Sequence, residues 1–173
     1  MDDVFPSIQG KNLNKRSLTV PGDFSEKNIF IIVAFLQWQQ RAVDEVIGQL
    51  EASDVHLTHH IIEVPVIQQS TWLRQVRLDT LMRMGIRDRA VRQRTITVYL
   101  DKKEFQASLD IPNDDSIHWF VVDHATKKIL MRGAGNISQR EIHRLNTSSF
   151  ENEYGNNLLT IQISTQNFIV FHP

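Results

Sequence analysis

The stretch Ile29-Phe30-Ile31-Ile32-Val33-Ala34-Phe35-Leu36-Gln37-Trp38-Gln39-Gln40-Arg41-Ala42 decides how this chain folds. Its first seven residues are continuously apolar and rich in β-branched side chains. An amphipathic surface strand would alternate, so both faces of this one are buried, as in a central strand of a sheet covered by helices. After Trp38 the period changes. Ala42, Val43, Val46, Ile47 and Leu50 recur at helical spacing, with Arg41, Asp44, Glu45 and Gln49 on the other side. A buried strand running straight into an amphipathic helix is the start of an α/β unit.

Working outward, Leu18-Thr19-Val20 and the turn residues before it read as an N-terminal β-hairpin. His59 to Ile67 and Thr95 to Leu100 read as strands. Ser70 is a plausible N-cap for a helix that Gly85 ends. Lys102 to Leu109 is a short helix stopped at Ile111-Pro112. Ser116 to Asp123 and Lys128 to Arg132 are strands joined by His124-Ala125-Thr126-Lys127, and Ser138 with Glu141 has capping-box spacing for a last helix through Leu145. The expectation is one domain over 1–145. A polar extension follows over 146–173, in which Leu158 to Phe171 alternates loosely like a strand.

The composition closes off several functions. The 173 residues contain no cysteine, so disulfides, thiolate nucleophiles and cysteine metal sites are all excluded. Net charge is −1, which supplies no global attraction to nucleic acid or anionic membrane. The run Ile29 to Leu36 is far shorter than the roughly 20 apolar residues of a membrane helix. Met1-Asp2-Asp3 lacks the basic and apolar regions of a signal peptide, so a cytoplasmic location is expected.

The element order, the opening Phe5-Pro6 with Gly10-Lys11-Asn12-Leu13, and the strand Ile31 to Phe35 resemble the thioredoxin-like superfamily, in its branch of peroxiredoxins and membrane-tethered thiol reductases. The resemblance covers roughly Val4 to Leu145. It implies a thioredoxin-like central mixed sheet flanked by helices, with an N-terminal β-hairpin and an inserted strand–helix. Trp38 falls where those enzymes carry the tryptophan before CxxC. The four motif positions here read Gln39-Gln40-Arg41-Ala42, with glutamine and alanine in the cysteine places. The family's cis-proline position corresponds to Ile117, preceded by Ser116, where a trans bond is expected because a non-proline cis bond costs about 2.5–4 kcal/mol. The stretches Phe35 to Gln40, Glu63-Val64-Pro65-Val66 and Gly85 to Tyr99 look like a group of uncharacterised bacterial and archaeal proteins, similar in turn to mitochondrial ATP-synthase assembly factors.

Both halves of the family's redox site are therefore missing. The resemblance then implies a redox-inactive binding or assembly protein with a protein or peptide partner. The rival is an enzyme of non-thiol mechanism, peroxidase-like or transferase, using the vacated corner. Candidate ligand- or peptide-binding residues are Trp38, Gln39, Gln40, Arg41, Ser116, Ile117 and His118. Gln39 and the amides of a helix N-terminus would be donors to an anion or peptide carbonyl, and Trp38 the apolar contact. The bland alternative packs Trp38 on the sheet and leaves the polar residues solvated.

The seven arginines between Arg74 and Arg94 suggest docking of an acidic partner through Arg87, Arg89, Arg92 and Arg94. A solvated helix face, with some arginines paired to Asp79 and Asp88, is the more usual explanation of such a run. His56, His59 and His60 lie at the start of a strand, where they cannot converge on one ion without a bend, so no metal or other cofactor is expected. Asp123 reads as a turn residue, Gly133-Ala134-Gly135 as a turn, and Ser116 with His118 lacks the third member of a catalytic set. No nucleic-acid motif accompanies the arginines.

Overall fold

The computed structural model describes residues 3–69 and 89–148. Seven strands form one mixed sheet: β1 (Ile8–Asn12), β2 (Ser17–Val20), β3 (Asn28–Ala34), β4 (His59–Gln68), β5 (Ile96–Leu100), β6 (His118–Val122) and β7 (Ile129–Ala134), in the order β2-β1-β5-β4-β3-β6-β7. β3, β4 and β5 run parallel, and β1, β2, β6 and β7 are joined antiparallel. The expected hairpin is β1–β2, which extends the sheet by pairing Asn12 with Ile96.

The continuous apolar run is the reason β3 sits centrally, between β4 and β6. Every residue from Ile29 to Phe35 is buried. Ile29, Ile31, Val33 and Phe35 join Phe5, Phe105, Phe120 and Val122 in one core. Phe30, on the opposite face, stacks on Trp119 with ring centroids 5.4 Å apart. Helix α1 (Gln40–Ala52) lies against β3 and buries Val43, Val46, Ile47 and Leu50, the stripe read from the sequence. Short helices follow as α2 (Val55–Thr58), α3 (Arg89–Arg94) and α4 (Lys102–Ser108). Asp101 caps α4 by accepting from the Glu104 amide.

A separate unit begins at Ser138 and contains helix α5, residues 139–148. Its start is the expected capping box: the Ser138 amide donates to Glu141 Oε2, and the Glu141 amide donates to Ser138 Oγ. The expected helix from Ser70 to Gly85 and the strand-like stretch Leu158 to Phe171 lie outside the described residues. Among the described residues no helix is long and apolar enough to cross a membrane.

The glycine-rich turn expected at Gly133-Ala134-Gly135 is instead the end of β7, and only Gly135, with φ +70°, leaves the strand. Gly133 is there for packing: a Cβ on it would lie 2.1 Å from Trp119 Cζ2.

Candidate functional site

The chain leaves β3 through a tight 3-10 turn, Gln37–Gln39, before α1 begins at Gln40. The turn sends consecutive side chains in opposite directions. Trp38 is 67% exposed, whereas Gln39 is 1% exposed. The expectation that Gln39 offers a donor to a ligand is therefore corrected. Its Oε1 accepts from the Phe35 amide at 2.9 Å and the Leu36 amide at 3.1 Å, and its Nε2 donates to the Asp114 carbonyl at 2.7 Å. An exposed position was expected because helix N-termini usually face water. Here the 3-10 turn aims the side chain inward, where it fills amides that would otherwise be orphaned.

Asp114 is held in turn. Lys102 Nζ reaches Asp114 Oδ2 at 3.0 Å while lying 5.7 Å from the centre of the Phe35 ring. The Lys102 hydrogen bond draws the Asp114 carboxyl below its usual range. Through Asp114, Gln39 and Lys102 thus tie the loop before β6 to the turn after β3.

Within that loop Ser116 is half-buried and Ile117 is buried. The Ile117 carbonyl accepts from the Gly135 amide at 2.8 Å. The Ser116–Ile117 bond is trans, since the one cis bond among the described residues is Val20–Pro21. His118 is buried on β6, its Nε2 has no hydrogen-bond partner among the described residues, and burial pushes its imidazole below the ordinary value. Gln40 and Arg41 are exposed on α1. They bond along the helix to Asp44 and Glu45, so neither is committed to the corner.

The arginine cluster is also revised. Arg94 is not an open docking group: its Nη1 bonds to Glu51 Oε1 at 2.6 Å, tying α3 to the end of α1. Arg89 and Arg92 belong to α3, with side chains outside the described set, and Arg87 lies outside the described residues. His59 bonds through Nδ1 to Thr58 Oγ1, and His60 through Nε2 to the Ser25 carbonyl. The histidines thus have separate partners, and among the described residues no cluster of three potential metal ligands occurs.

Sequence reading missed Glu63. It is 2% exposed in the middle of β4, and burial raises its carboxyl above the usual range. Thr95 Oγ1 lies 3.2 Å from Glu63 Oε2 and 2.8 Å from the Val91 carbonyl. A hydroxyl has one proton, and the shorter contact takes it. The Gln40 side chain is a further hydrogen-bond partner of Glu63. The signal was an acid inside Ile61-Ile62-Glu63-Val64.

No protein-family model matches the sequence, and no curated protein matches it. Solved structures do. The exposed lipoprotein thioredoxin of Streptococcus pneumoniae superposes with a TM-score of 0.54 at 8% identity, over 82% of this chain and 99% of that one. The mitochondrial 2-Cys peroxiredoxin of Plasmodium falciparum gives 0.54 at 12% identity, over 89% and 95%. The fold is thioredoxin-like. A DsbF homologue of Corynebacterium diphtheriae also matches, with a TM-score of 0.50 at 14% identity over 84% and 85%. At these identities the likeness establishes architecture and leaves chemistry to the residues. This thioredoxin-like chain has no cysteine to place in the corner its fold builds.

Proposed function

We propose that the chain is a redox-inactive thioredoxin-fold protein that acts in the cytoplasm by binding a protein or peptide partner at the corner between the Trp38 turn and the 114–117 loop. The observation that carries this reading is the pairing of an exposed indole with a buried, fully bonded neighbour. Trp38 is 67% exposed on a turn that Gln39 fixes by three hydrogen bonds. A large apolar side chain held on a rigid base loses little freedom on binding, and tryptophan is a frequent anchor of interfaces. The exposed Gln40 and Arg41, which follow Trp38 on α1, would form a polar rim. An assembly role for that partner follows from the sequence resemblance alone.

One feature favours the rival, an enzyme of non-thiol mechanism. His118 carries a buried ring nitrogen without a partner, close in sequence to Ser116. Against it, no base–nucleophile hydrogen bond joins them among the described residues, and such a bond is the usual mark of an activated nucleophile.

The test is selection of ligands from a displayed library of extended peptides, followed by affinity measurement with Trp38→Ala. Loss of about tenfold or more in affinity with an unchanged melting temperature is expected. Selected peptides that bind the variant as tightly as the wild type would overturn the site. Insulin reduction and peroxide turnover should stay at blank level, because neither starts without a thiolate.

A further inference from the structure

The two ends of the parallel strands carry different surfaces. The Trp38 turn leaves the C-terminal end of β3. The pairing of Asn12 with Ile96 instead places the turn of the β1–β2 hairpin at the N-terminal end of β5. Helix α3 enters β5 through Thr95 at that same end and lies beside β1. Segments 4–22 and 89–100, remote in sequence, are thereby neighbours. Together they hold Lys11, Lys15, Arg16, Arg89, Arg92 and Arg94 and no Asp or Glu, in a chain whose net charge is −1. Lys11, Lys15 and Arg16 thus cluster on one hairpin turn.

Arg94 has its counter-ion in Glu51, but among the described residues the hairpin cations have none. Lys11, Lys15 and Arg16 are exposed, and none forms an ion pair among the described residues. Their backbone is nevertheless held firmly. The buried Asn12 accepts at Oδ1 from the Asn14 and Arg16 amides, both at 3.0 Å, and the Lys15 amide donates to the Asn12 carbonyl at 2.9 Å. Lys15 has φ +66°, a left-handed conformation that glycine or asparagine adopts more easily. A lysine stands in that strained place with its side chain in water, so folding does not explain the choice of residue.

We propose that the hairpin turn is a second docking surface that receives an Asp/Glu-rich segment of a partner protein through Lys11, Lys15 and Arg16. Unpaired cations on a rigid turn attract carboxylates and lose little freedom in doing so. Nucleic acid fits less well. Binding of single strands relies on aromatic stacking, and Trp38, the one aromatic among the strongly exposed large apolar residues described, lies at the other end of the sheet.

The experiment uses the full chain and a short fluorescein-labelled polyglutamate peptide, followed by fluorescence anisotropy at low and then rising salt. Binding that weakens with salt is expected. Lys15→Glu with Arg16→Glu should weaken it about tenfold or more. Lys103→Glu with Arg140→Glu, the same change of net charge at exposed positions elsewhere, should stay within about twofold. Lys15→Asn separates recognition from folding: it should raise the melting temperature by about 2–4 °C while weakening binding. Trp38→Ala should bind the peptide normally, so failure here is distinguishable from failure of the corner. The proposal falls if the peptide does not bind, if both charge-reversed pairs lose equally, or if oligothymidine binds more tightly through the same lysines and arginine.

Discussion

Gln39 Nε2 donates to the carbonyl of Asp114 at 2.7 Å, across 75 residues of sequence. The same carboxamide accepts from the amides of Phe35 and Leu36. This carboxamide is a staple between β3 and the loop before β6.

Gln39→Ala is accordingly expected to destabilise the protein strongly. It leaves the Phe35 and Leu36 amides without their acceptor and opens a cavity, which together cost about 2–4 kcal/mol. At this chain length that lowers the melting temperature by about 5–10 °C, measurable by calorimetry. Gln39→Cys with Ala42→Cys restores the cysteine spacing but not the reaction. A thiol in this buried position, beside a trans Ser116–Ile117 bond, should leave insulin reduction at blank level, and turnover above blank would refute the structural role assigned to residue 39.

Glu63 makes the folded state sensitive to alkali. Burial raises its folded pKa, so as pH climbs past the ordinary glutamate value the unfolded chain loses a proton that the folded chain keeps. Stability must then fall with rising pH, by at most about 1.4 kcal/mol per unit, until the folded carboxyl also ionises. Glu63→Gln keeps an acceptor facing Thr95 and removes the titration. It should melt higher than wild type at neutral pH and converge with it below about pH 4. A variant less stable than wild type at neutral pH would show that the carboxylate is paired.

The placement of Glu63 and Gln39 also shows what the sequence could reveal. Strands β3 and β4 and the buried stripe of α1 were legible because apolar periodicity reports burial directly. The thioredoxin-like fold was legible because the order of hairpin, strands and helices is recognisable. Gln39 was misread because a polar residue at a helix start looks solvated unless its partner, Asp114, is known to be adjacent. Gly133 was misread as a turn because only the ring of Trp119, fourteen residues earlier, explains the missing side chain. Both errors concern contacts between elements, which local pattern does not encode.

His59 imposes the opposite pH limb. Burial, then the charge of His60, lowers its pKa from 6.5 to about 4. The stability that depends on a neutral His59 is fully present above pH 6.5. It is lost as pH falls toward 4, with a slope of at most about 1.4 kcal/mol per unit. His59→Gln should flatten denaturant midpoints between pH 6.5 and 4, even if it lowers them at pH 7 by losing the Thr58 contact. An acid limb unchanged in slope would place the titration elsewhere, with His118 the next candidate because burial lowers it too.

Three glycine-to-alanine substitutions separate packing from backbone geometry. At Gly133 the new methyl would lie 2.1 Å from Trp119 Cζ2 and 2.4 Å from Cε2. That ring is buried and stacked on Phe30, so it cannot swing aside without disturbing the core. Overpacking of this kind costs about 1–3 kcal/mol or more. At Gly135 there is open space but φ is +70°, so the cost is conformational, about 1–2 kcal/mol. Gly48 lies exposed inside α1 with nothing within 4 Å, and alanine there should stabilise by about 0.5–1 kcal/mol. Denaturant unfolding should therefore rank Gly48→Ala above wild type and both other variants below it. Trp119→Phe should rescue part of the Gly133→Ala loss and none of the Gly135→Ala loss, because only the first arises from the indole. Equal rescue of both, or of neither, would mean that the β6–β7 packing is not what requires glycine at 133.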